Sequence, residues 1–254
     1  MVDAGMNLFD VAGKTALITG GGSGLGQFMA KALAEAGVRV YLVGRRQDRL
    51  SASLGDHDGA IFALDLVERG AADHLFDMVS TMDQQPDIIV NAAGINPRRH
   101  ADEISESDWH YSVDLNLNVP FLVSQKFVPH MKQNGWGRII NIASLAAVFG
   151  LPYGLDYVAS KAAVIGMTRG MARELGPDLI RVHAVAPSAV MTEGTEEFFG
   201  EKFEKAKAVI AANQLIPRNL ETEDLTGTIV YLASDASRFV TGQTHMVDGG
   251  SWFL

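Results

Sequence analysis

The chain has 254 residues, of which 47% are hydrophobic and 20% are charged, and it contains no cysteine. This composition is ordinary for a globular protein, and it excludes disulfides, thiolate chemistry and cysteine-based zinc sites. The seven histidines are scattered and the formal net charge is −9, so we expect neither a metal ion nor a nucleic-acid partner.

Segments typical of β-strands alternate with helical segments along the chain. The predicted strands are 15–19, 38–43, 60–64, 88–91, 138–142, 180–184 and 244–247. Strands separated by helices form a mainly parallel sheet with helices on both faces. The sequence therefore predicts an α/β fold, with a doubly wound, Rossmann-type sheet of about seven strands. No repeat or linker divides the chain, so we predict a single domain over residues 1–254.

The first predicted strand enters a glycine-rich loop, Thr19-Gly20-Gly21-Gly22-Ser23-Gly24-Leu25-Gly26, and 27–36 is predicted as a helix. This context suits a dinucleotide phosphate site, because glycines let the backbone approach a pyrophosphate and the helix N-terminus presents free N–H groups. A plain turn needs one glycine, and five in seven residues favour the phosphate site. The spacing differs from the usual Gly-x-Gly-x-x-Gly.

The second predicted strand ends in Val43-Gly44-Arg45-Arg46. In dinucleotide folds an acidic residue here binds the ribose 2′-hydroxyl of NAD, whereas an arginine can hold the 2′-phosphate of NADP. Gly44 takes the acidic position and Arg45 follows it, so the sequence favours NADP and leaves NAD open. The alternative is that Arg45 and Arg46 are solvated residues at the start of a helix.

Tyr157 and Lys161 are four residues apart in a segment predicted as helix. Residues at this spacing share a helix face, so the phenol and the ammonium can point into one cleft. A nearby cation lowers the pKa of a tyrosine, and a lowered pKa suits a general acid or base near neutrality. The alternative is a packed tyrosine beside a lysine that reaches solvent. Tyr153 has no lysine four residues on.

These motifs, with Asn91-Ala92-Ala93-Gly94 and the segment from Pro187 to Thr192, fall in an order that resembles the short-chain dehydrogenase/reductase family over nearly the whole chain. The resemblance implies four catalytic residues: Asn116, Ser144, Tyr157 and Lys161. It implies cofactor contacts by Gly20, Ser23, Gly24, Leu25, Gly26, Arg45, Arg46, Asp65, Leu66, Asn91, Ala92, Ala93, Gly94, Tyr157, Lys161, Pro187, Val190 and Thr192.

Three positions depart from the family pattern. Ala92 replaces an asparagine, His183 stands where asparagine is usual, and Ser188 stands where glycine is usual. The last two put the shape of the loop after Pro187 in question. Asp65 resembles the residue that contacts adenine, and a helix N-cap is an equal alternative for it.

The resemblance implies an NAD(P)-dependent oxidoreductase that transfers a hydride between the nicotinamide and a secondary alcohol or ketone. Tyr157 would exchange the proton, Ser144 would hold the substrate oxygen, Lys161 would lower the pKa of Tyr157, and Asn116 would hold a water. Alternatives are a β-ketoacyl-type reductase and a regulator that binds the nucleotide without catalysis. The complete set of four catalytic residues argues against the regulator.

Residues 188–213 occupy the position of the family's substrate lid. The run Asn96-Pro97-Arg98-Arg99-His100 is similar to members that act on sugar acids, and an arginine there could hold a carboxylate. Solvated loop charges are the alternative for this run, and other polyols, steroid-like alcohols and acyl-carrier esters stay open as substrates.

We expect a homotetramer in the cytoplasm. No apolar run approaches the ~20 residues of a membrane span, and the first residues lack the pattern of a signal peptide. Apolar residues surround much of the helix predicted at 157–175, which indicates a second buried face. The aromatic pair Trp252 and Phe253 supplies another candidate interface, and two self-associating faces give a closed tetramer.

Overall fold

A seven-stranded parallel sheet forms the centre of the fold. The computed structural model describes residues 7–253, so both ends of the predicted 1–254 domain lie outside the described residues. The sheet order is β3-β2-β1-β4-β5-β6-β7. The strands are β1 (Thr15–Thr19), β2 (Arg39–Gly44), β3 (Gly59–Ala63), β4 (Ile88–Asn91), β5 (Gly137–Ile142), β6 (Ile180–Pro187) and β7 (Thr244–Val247). The predicted α/β class and doubly wound, Rossmann-type sheet are confirmed.

Helices follow every strand except the last. They are α1 (Gly24–Glu35), α2 (Gln47–Leu54), α3 (Ala71–Ser80), α4 (Glu106–Val113), α5 (Val119–Asn134), α6 (Ala146–Phe149), α7 (Leu155–Leu175), α8 (Glu193–Phe199), α9 (Phe203–Ala212) and α10 (Thr226–Ala233). A π-helical turn, Asp114–Asn118, joins α4 to α5. Within residues 7–253, no helix has both the length and the apolar character needed to cross a membrane.

Alternate residues of the central strands supply two separate cores. Leu17 and Ile18 are neighbours in β1 and belong to different buried clusters, because successive strand side chains point to opposite faces of a sheet. The cluster of Ile18 includes Leu33 of α1 and Ile229 of α10. The cluster of Leu17 includes Phe127 of α5. Helices therefore cover both faces.

The 21-residue helix α7 lies beside β6 and carries the Tyr157–Lys161 pair. In the sequence, the apolar residues around this helix indicated a second buried face. Three of these residues, Ile165, Met167 and Met171, instead pack against the buried clusters of this chain. The exposed residues of α7 include the small Ala162, Gly166 and Gly170 as well as charged Arg169 and Arg173, and a Cβ on Gly166 would meet open space. A close approach of another helix is therefore possible there.

The strand order reverses between β1 and β4, and ligands of doubly wound sheets bind at the carboxyl ends of the strands at such a point. The glycine loop leaves β1 there and Asn91 ends β4. Strand β6 runs three residues beyond its predicted end at 184, because Pro187 pairs with Val247 of β7. The segment after Pro187 therefore starts at the edge where the loops meet.

Candidate active site

A cavity of about 1250 Å³ opens at the carboxyl edge of the sheet. A second cavity of about 150 Å³ shares residues of the glycine loop with it. The predicted site residues that line one or both are Gly20, Ser23, Gly24, Leu25, Gly26, Arg45, Arg46, Asp65, Leu66, Ala92, Ala93, Gly94, Ser144, Tyr157, Lys161, Pro187, Val190 and Thr192. Asn91 and Asn116 lie behind the cavity walls.

The glycine loop is packed too tightly for a side chain at Gly20 and Gly26. A Cβ on Gly26 would lie 2.3 Å from the carbonyl oxygen of Gly20, and one on Gly20 would lie 2.9 Å from Ala93. Gly20 also has a φ of 71°, which favours glycine. The start of α1 carries no acidic residue in its first turn. The loop therefore forms a cradle whose backbone N–H groups fit a pyrophosphate.

The buried side chain of Asn91 links elements of the fold behind the cavity. Its Nδ2 donates to Ser124 Oγ at 2.9 Å and to Asn141 Oδ1 at 2.8 Å, and the residue is buried. The side chain therefore joins β4 to α5 and β5. The structure directs the asparagine amide into the protein interior and not toward the predicted cofactor.

Tyr157 and Lys161 line the cavity from α7, and Ser144 lines it from the loop after β5. Burial lowers the pKa of Lys161 to about 8, and its Nζ donates to the carbonyl of Ile142 at 2.7 Å. Burial raises the pKa of Tyr157, and the Ser144 hydroxyl opposes this change. The Nζ of Lys161 lies 5.9 Å from the centre of the Tyr157 ring, and a lowering of the Tyr157 pKa by this cation stays a prediction.

Asn116 ties the loop after β4 to α7. It is buried in the π-helical turn, where its Oδ1 accepts from the N–H of Ile95 at 2.8 Å. Its Nδ2 donates to Ile95 O and to Ser160 Oγ, both at 3.0 Å. A Cβ on Gly94 would lie 2.9 Å from Asn116 Oδ1, so glycine is required there. Both amide hydrogens are used within the protein and hold the loop beside Lys161.

Three arginines, Arg45, Arg46 and Arg49, line the smaller cavity. The Arg45 side chain is 64% exposed, and its Nη1 lies 3.9 Å from Asp65 Oδ2 and 3.5 Å from the Tyr111 hydroxyl. These long contacts leave the guanidinium available to an anion. The corner therefore has the charge and the planar donors that suit a phosphate.

Arg49 was missed by the sequence interpretation. It follows Arg45 by four residues, and α2 begins at Gln47, so helical spacing was the signal for it. Its Nη1 also lies 3.5 Å from Glu193 Oε2 at the start of α8.

The alternative that Asp65 caps a helix was wrong. Its Oδ1 accepts from the N–H of Val67 within a turn, and α3 begins only at residue 71.

Residues 20–251 match the family described as enoyl-(acyl carrier protein) reductase. The chain is 36% identical over 245 residues to 2-dehydro-3-deoxy-D-gluconate 5-dehydrogenase of Bacillus subtilis (strain 168), which covers 95% of this chain and 96% of that one. The chain belongs to the short-chain dehydrogenase/reductase family. As a member, it is an NAD(P)-dependent oxidoreductase that acts on CH–OH groups.

Two further members of the short-chain dehydrogenase/reductase family show the range of this similarity. The 3-oxoacyl-[acyl-carrier-protein] reductase of Rickettsia felis is 32% identical over 243 residues, covering 96% of this chain and 98% of that one. The crystal structure of a gluconate 5-dehydrogenase from Burkholderia cenocepacia, in complex with NADP and tartrate, has a TM-score of 0.89 and 31% identity. It covers 96% of this chain and 97% of that chain.

The departures from the short-chain dehydrogenase/reductase pattern fit the structure. Ser188 donates to Gln214 Oε1 at 3.1 Å, and it is not among the non-glycine residues with positive φ in the described chain, so no glycine is needed there. His183 is buried against His245, with the ring centres 5.2 Å apart. Burial lowers the pKa of His183 to about 3, so this ring is neutral.

The charged residues of the loop after Gly94 lie in two different environments, on the cavity wall and in ion pairs away from it. Arg98 lies on the cavity wall, 5.3 Å from the centre of the Tyr153 ring and 5.8 Å from that of Phe198. Arg99 instead pairs with Asp108, at 2.9 Å. His100 pairs with Asp102 outside the cavity. Of these three, only Arg98 is placed to meet a substrate.

Two aromatic residues that the sequence did not indicate as site residues, together with Asn96, complete the substrate end of this short-chain dehydrogenase/reductase. Phe149 and Trp252 line the cavity, with ring centres 6.5 Å apart. Asn96 also lines it, and its Oδ1 is buried without a hydrogen-bond partner among the described residues. These residues come from three separate segments, so only the folded chain brings them together.

Proposed function

We propose that this enzyme is an NADP-dependent dehydrogenase that interconverts a secondary alcohol and a ketone on a sugar acid. The observation that carries the proposal is the position of Arg98 on the cavity wall. The ion pairs of its loop involve Arg99 and His100, and among the described residues Arg98 makes none. A guanidinium can donate two parallel hydrogen bonds to a carboxylate, which makes it a specific anchor for an acid.

The rings of Tyr153 and Phe198 lie beside Arg98, whose side chain is exposed on the cavity wall. A charge-assisted, bidentate hydrogen bond to a carboxylate is stronger than one to a neutral hydroxyl, so this anchor favours an acid. The names of the relatives agree, since one is a dehydrogenase of a deoxygluconate and another, a gluconate 5-dehydrogenase, was solved with tartrate. Both tartrate and gluconate are hydroxy acids.

The residues around the cavity account for the proton transfer. The bound nicotinamide supplies or accepts the hydride. In reduction, Tyr157 donates a proton to the substrate oxygen while the Ser144 hydroxyl donates a hydrogen bond to it. In oxidation, Tyr157 takes the proton from the alcohol. Lys161, whose pKa is lowered to about 8, donates hydrogen bonds at the base of the cavity.

The preference for NADP rests on the corner of Arg45, Arg46 and Arg49. The net charge of −9 gives no general attraction for an anionic cofactor, so local cations must supply it. Gly44 leaves the position of the usual NAD-binding carboxylate without a side chain. Two family members of known structure contain NADP.

Residues 188–213 form the substrate lid in this proposal. Helices α8 and α9 lie within this segment and place Phe198, Phe199, Val209 and Ile210 on the cavity wall. Gly200, with a φ of 52°, separates the two helices and lets the segment bend. An apolar lid excludes water from the reacting carbon, which strengthens the polar contacts inside the closed site.

The test compares an acid with its uncharged analogue. Replacement of Arg98 by glutamine is expected to raise the KM for D-gluconate about tenfold or more, because a charged hydrogen bond contributes ~1.5–3 kcal/mol. The KM for D-glucitol should stay within about threefold of the parent value, since glucitol has no carboxylate to lose. Arg69→Gln, on an exposed turn, is the control. Equal changes for both substrates would remove the basis of the proposal.

Reduction of a β-ketoacyl thioester is the second candidate. The apolar wall of Phe149, Leu151 and Trp252 suits an acyl chain, and one relative is a 3-oxoacyl-[acyl-carrier-protein] reductase. The strongly acidic chain is a poor partner for an acidic carrier protein, which ranks this candidate second. Faster turnover of acetoacetyl-coenzyme A than of any sugar acid would reverse the ranking.

The proposed enzyme acts as a homotetramer in the cytoplasm. Two faces support this assembly. The first comprises the exposed small residues Ala162, Gly166 and Gly170 of α7, together with the exposed Phe121 and Leu122 of α5. The second is the C-terminal segment, where Phe253 is 76% exposed. Exposed apolar faces of this kind indicate contacts with further copies of the chain.

A further inference from the structure

The loop that carries Arg98 is joined to the segment that precedes Tyr157. The N–H of Arg99 donates to the carbonyl of Tyr153 at 3.0 Å, and Arg99 forms a parallel β-bridge with Gly154. Neighbouring side chains of an extended segment point in opposite directions. Arg98 therefore faces the cavity while Arg99 turns away from it, toward α4 and α7.

The guanidinium of Arg99 lies between two carboxylates. Its Nη2 is 2.9 Å from Asp108 Oδ1 in α4, and its Nη1 is 4.0 Å from Asp156 Oδ2 in the first turn of α7. Asp156 is fully buried, and its Oδ2 accepts from the Ser112 hydroxyl at 2.5 Å. A buried carboxylate needs such partners, since burial of an unpaired charge is strongly unfavourable.

One carboxylate oxygen of Asp156 accepts no hydrogen bond from the described residues. This atom, Oδ1, is buried, and the one ion pair of Asp156 within that part of the chain is with Arg99. A residue that only begins a helix can lie in water, where the helix N-terminus already favours a carboxylate. The start of α7 therefore does not require Asp156 to be fully buried beside Arg99. The burial of this carboxylate indicates that Asp156 has a role besides starting the helix.

This ion pair connects the two ends of the proposed reaction. Arg98, the carboxylate anchor, precedes Arg99, and Tyr157, the proton donor, follows Asp156. We propose that Arg99 and Asp156 are positioning residues whose contact fixes the distance between Arg98 and the Tyr157 hydroxyl. That distance selects sugar acids whose carboxylate lies a set number of carbons from the reacting hydroxyl. The inference rests on the proposed function.

The test is a chain-length series, with D-threonate, D-xylonate and D-gluconate as the probes and NADP as the cofactor. The parent enzyme is expected to prefer one length. Asp156→Asn keeps the shape and the acceptor for Ser112 but removes the charge that attracts Arg99 to α7, while the pair of Arg99 with Asp108 of α4 remains. We expect it to reduce the preference for the best acid over the next about tenfold or more, since a misplacement of ~1 Å can cost a hundredfold in rate.

Two further variants of the ion pair and one control variant show whether the effect comes from the contact between Arg99 and Asp156. Arg99→Lys keeps the charge without the planar fork and should give an intermediate preference. The double variant Arg99→Met with Asp156→Leu replaces the pair by apolar groups, which folded proteins often tolerate, and it should also lose the length preference. Asp178→Asn breaks the remote pair with Lys132, at 2.8 Å, and should change nothing.

Each outcome separates the inference from the proposed function. Loss of the length preference with turnover of D-glucitol retained supports the positioning role. Equal loss on every acid and on glucitol, or an unchanged preference in both the single and the double variant, overturns it and leaves the proposed function standing. A parent enzyme that prefers no length also overturns it. A parent enzyme that oxidises no sugar acid overturns the proposed function, and the inference falls with it.

Discussion

Burial acts in opposite directions on the pKa values of Tyr157 and Lys161, the residues proposed to be catalytic. It disfavours the charged form of each, so it raises the pKa of the phenol and lowers that of the ammonium to about 8. Tyr157 is therefore protonated at neutral pH in the folded enzyme and ready to act as an acid. Reduction uses this form directly, whereas oxidation first needs the phenolate and should be fastest under alkaline conditions.

Replacement of Tyr157 by phenylalanine should abolish most turnover with little effect on the fold or on cofactor binding. The change removes only the hydroxyl that donates the proton, and general acids typically contribute ~10²–10⁴-fold. Initial rates and NADP titrations of the purified variant check this. Tyr153→Phe is the control, because it keeps the ring beside Arg98, and it should be mild. Turnover of Tyr157→Phe within a few fold of the parent would refute the assignment.

Replacement of Lys161 by methionine should abolish activity and raise stability at neutral pH. The folded pKa of about 8 lies below the 10.5 of a lysine in water, so the unfolded chain binds the proton more tightly. Stability of the parent therefore rises with pH between these two values. The advantage of the variant should shrink over that window by up to about 3 kcal/mol. Urea unfolding at several pH values measures it, and a constant difference would contradict the burial argument.

Replacement of Arg45 by alanine should weaken NADP binding and leave NAD binding nearly unchanged. A charged hydrogen bond to the 2′-phosphate contributes ~1.5–3 kcal/mol, so the Kd for NADP should rise about tenfold or more. Fluorescence titration of both cofactors gives the comparison. The idea fails if both affinities fall equally, or if the parent enzyme prefers NAD.

At the scale of elements, the glycine loop owes its shape to contacts that a side chain would break. Gly26→Ala should abolish cofactor binding, because its Cβ would lie 2.3 Å from the Gly20 carbonyl oxygen and the backbone would have to move. Gly227→Ala in α10 has open space and should bind cofactor normally. Calorimetric titration with NADP distinguishes them. Normal binding by Gly26→Ala would show that the loop tolerates a shift.

The sequence predicted every strand of the sheet because buried parallel strands are short apolar runs bounded by turn residues. It placed the end of β6 at 184, and the pairing of Pro187 with Val247, residues far apart in the chain, decided otherwise. The cofactor loop and the catalytic residues are local motifs and could be found in the sequence. Phe149 and Trp252 enter the site through tertiary packing, which local pattern does not encode.

At the scale of the whole molecule, the protein should form a tetramer. Small residues of α7, namely Ala162, Gly166 and Gly170, are exposed, and so are Phe121 and Leu122 of α5, so helices of a second copy can pack against these residues. The segment with Trp252 and Phe253 supplies the second contact. Light scattering at micromolar concentration measures the mass. A monomer would contradict the prediction, and a dimer would show that one face alone is used.

We propose above that the molecule oxidises a sugar acid with NADP. The most direct test measures the nicotinamide absorbance of the purified enzyme with NADP or NAD and with D-gluconate, D-glucitol or, in the reverse direction, acetoacetyl-coenzyme A. We expect the highest kcat/KM for a sugar acid with NADP. Tight NADP binding without turnover of any substrate in a broad panel, or a clear preference for the thioester, would contradict it.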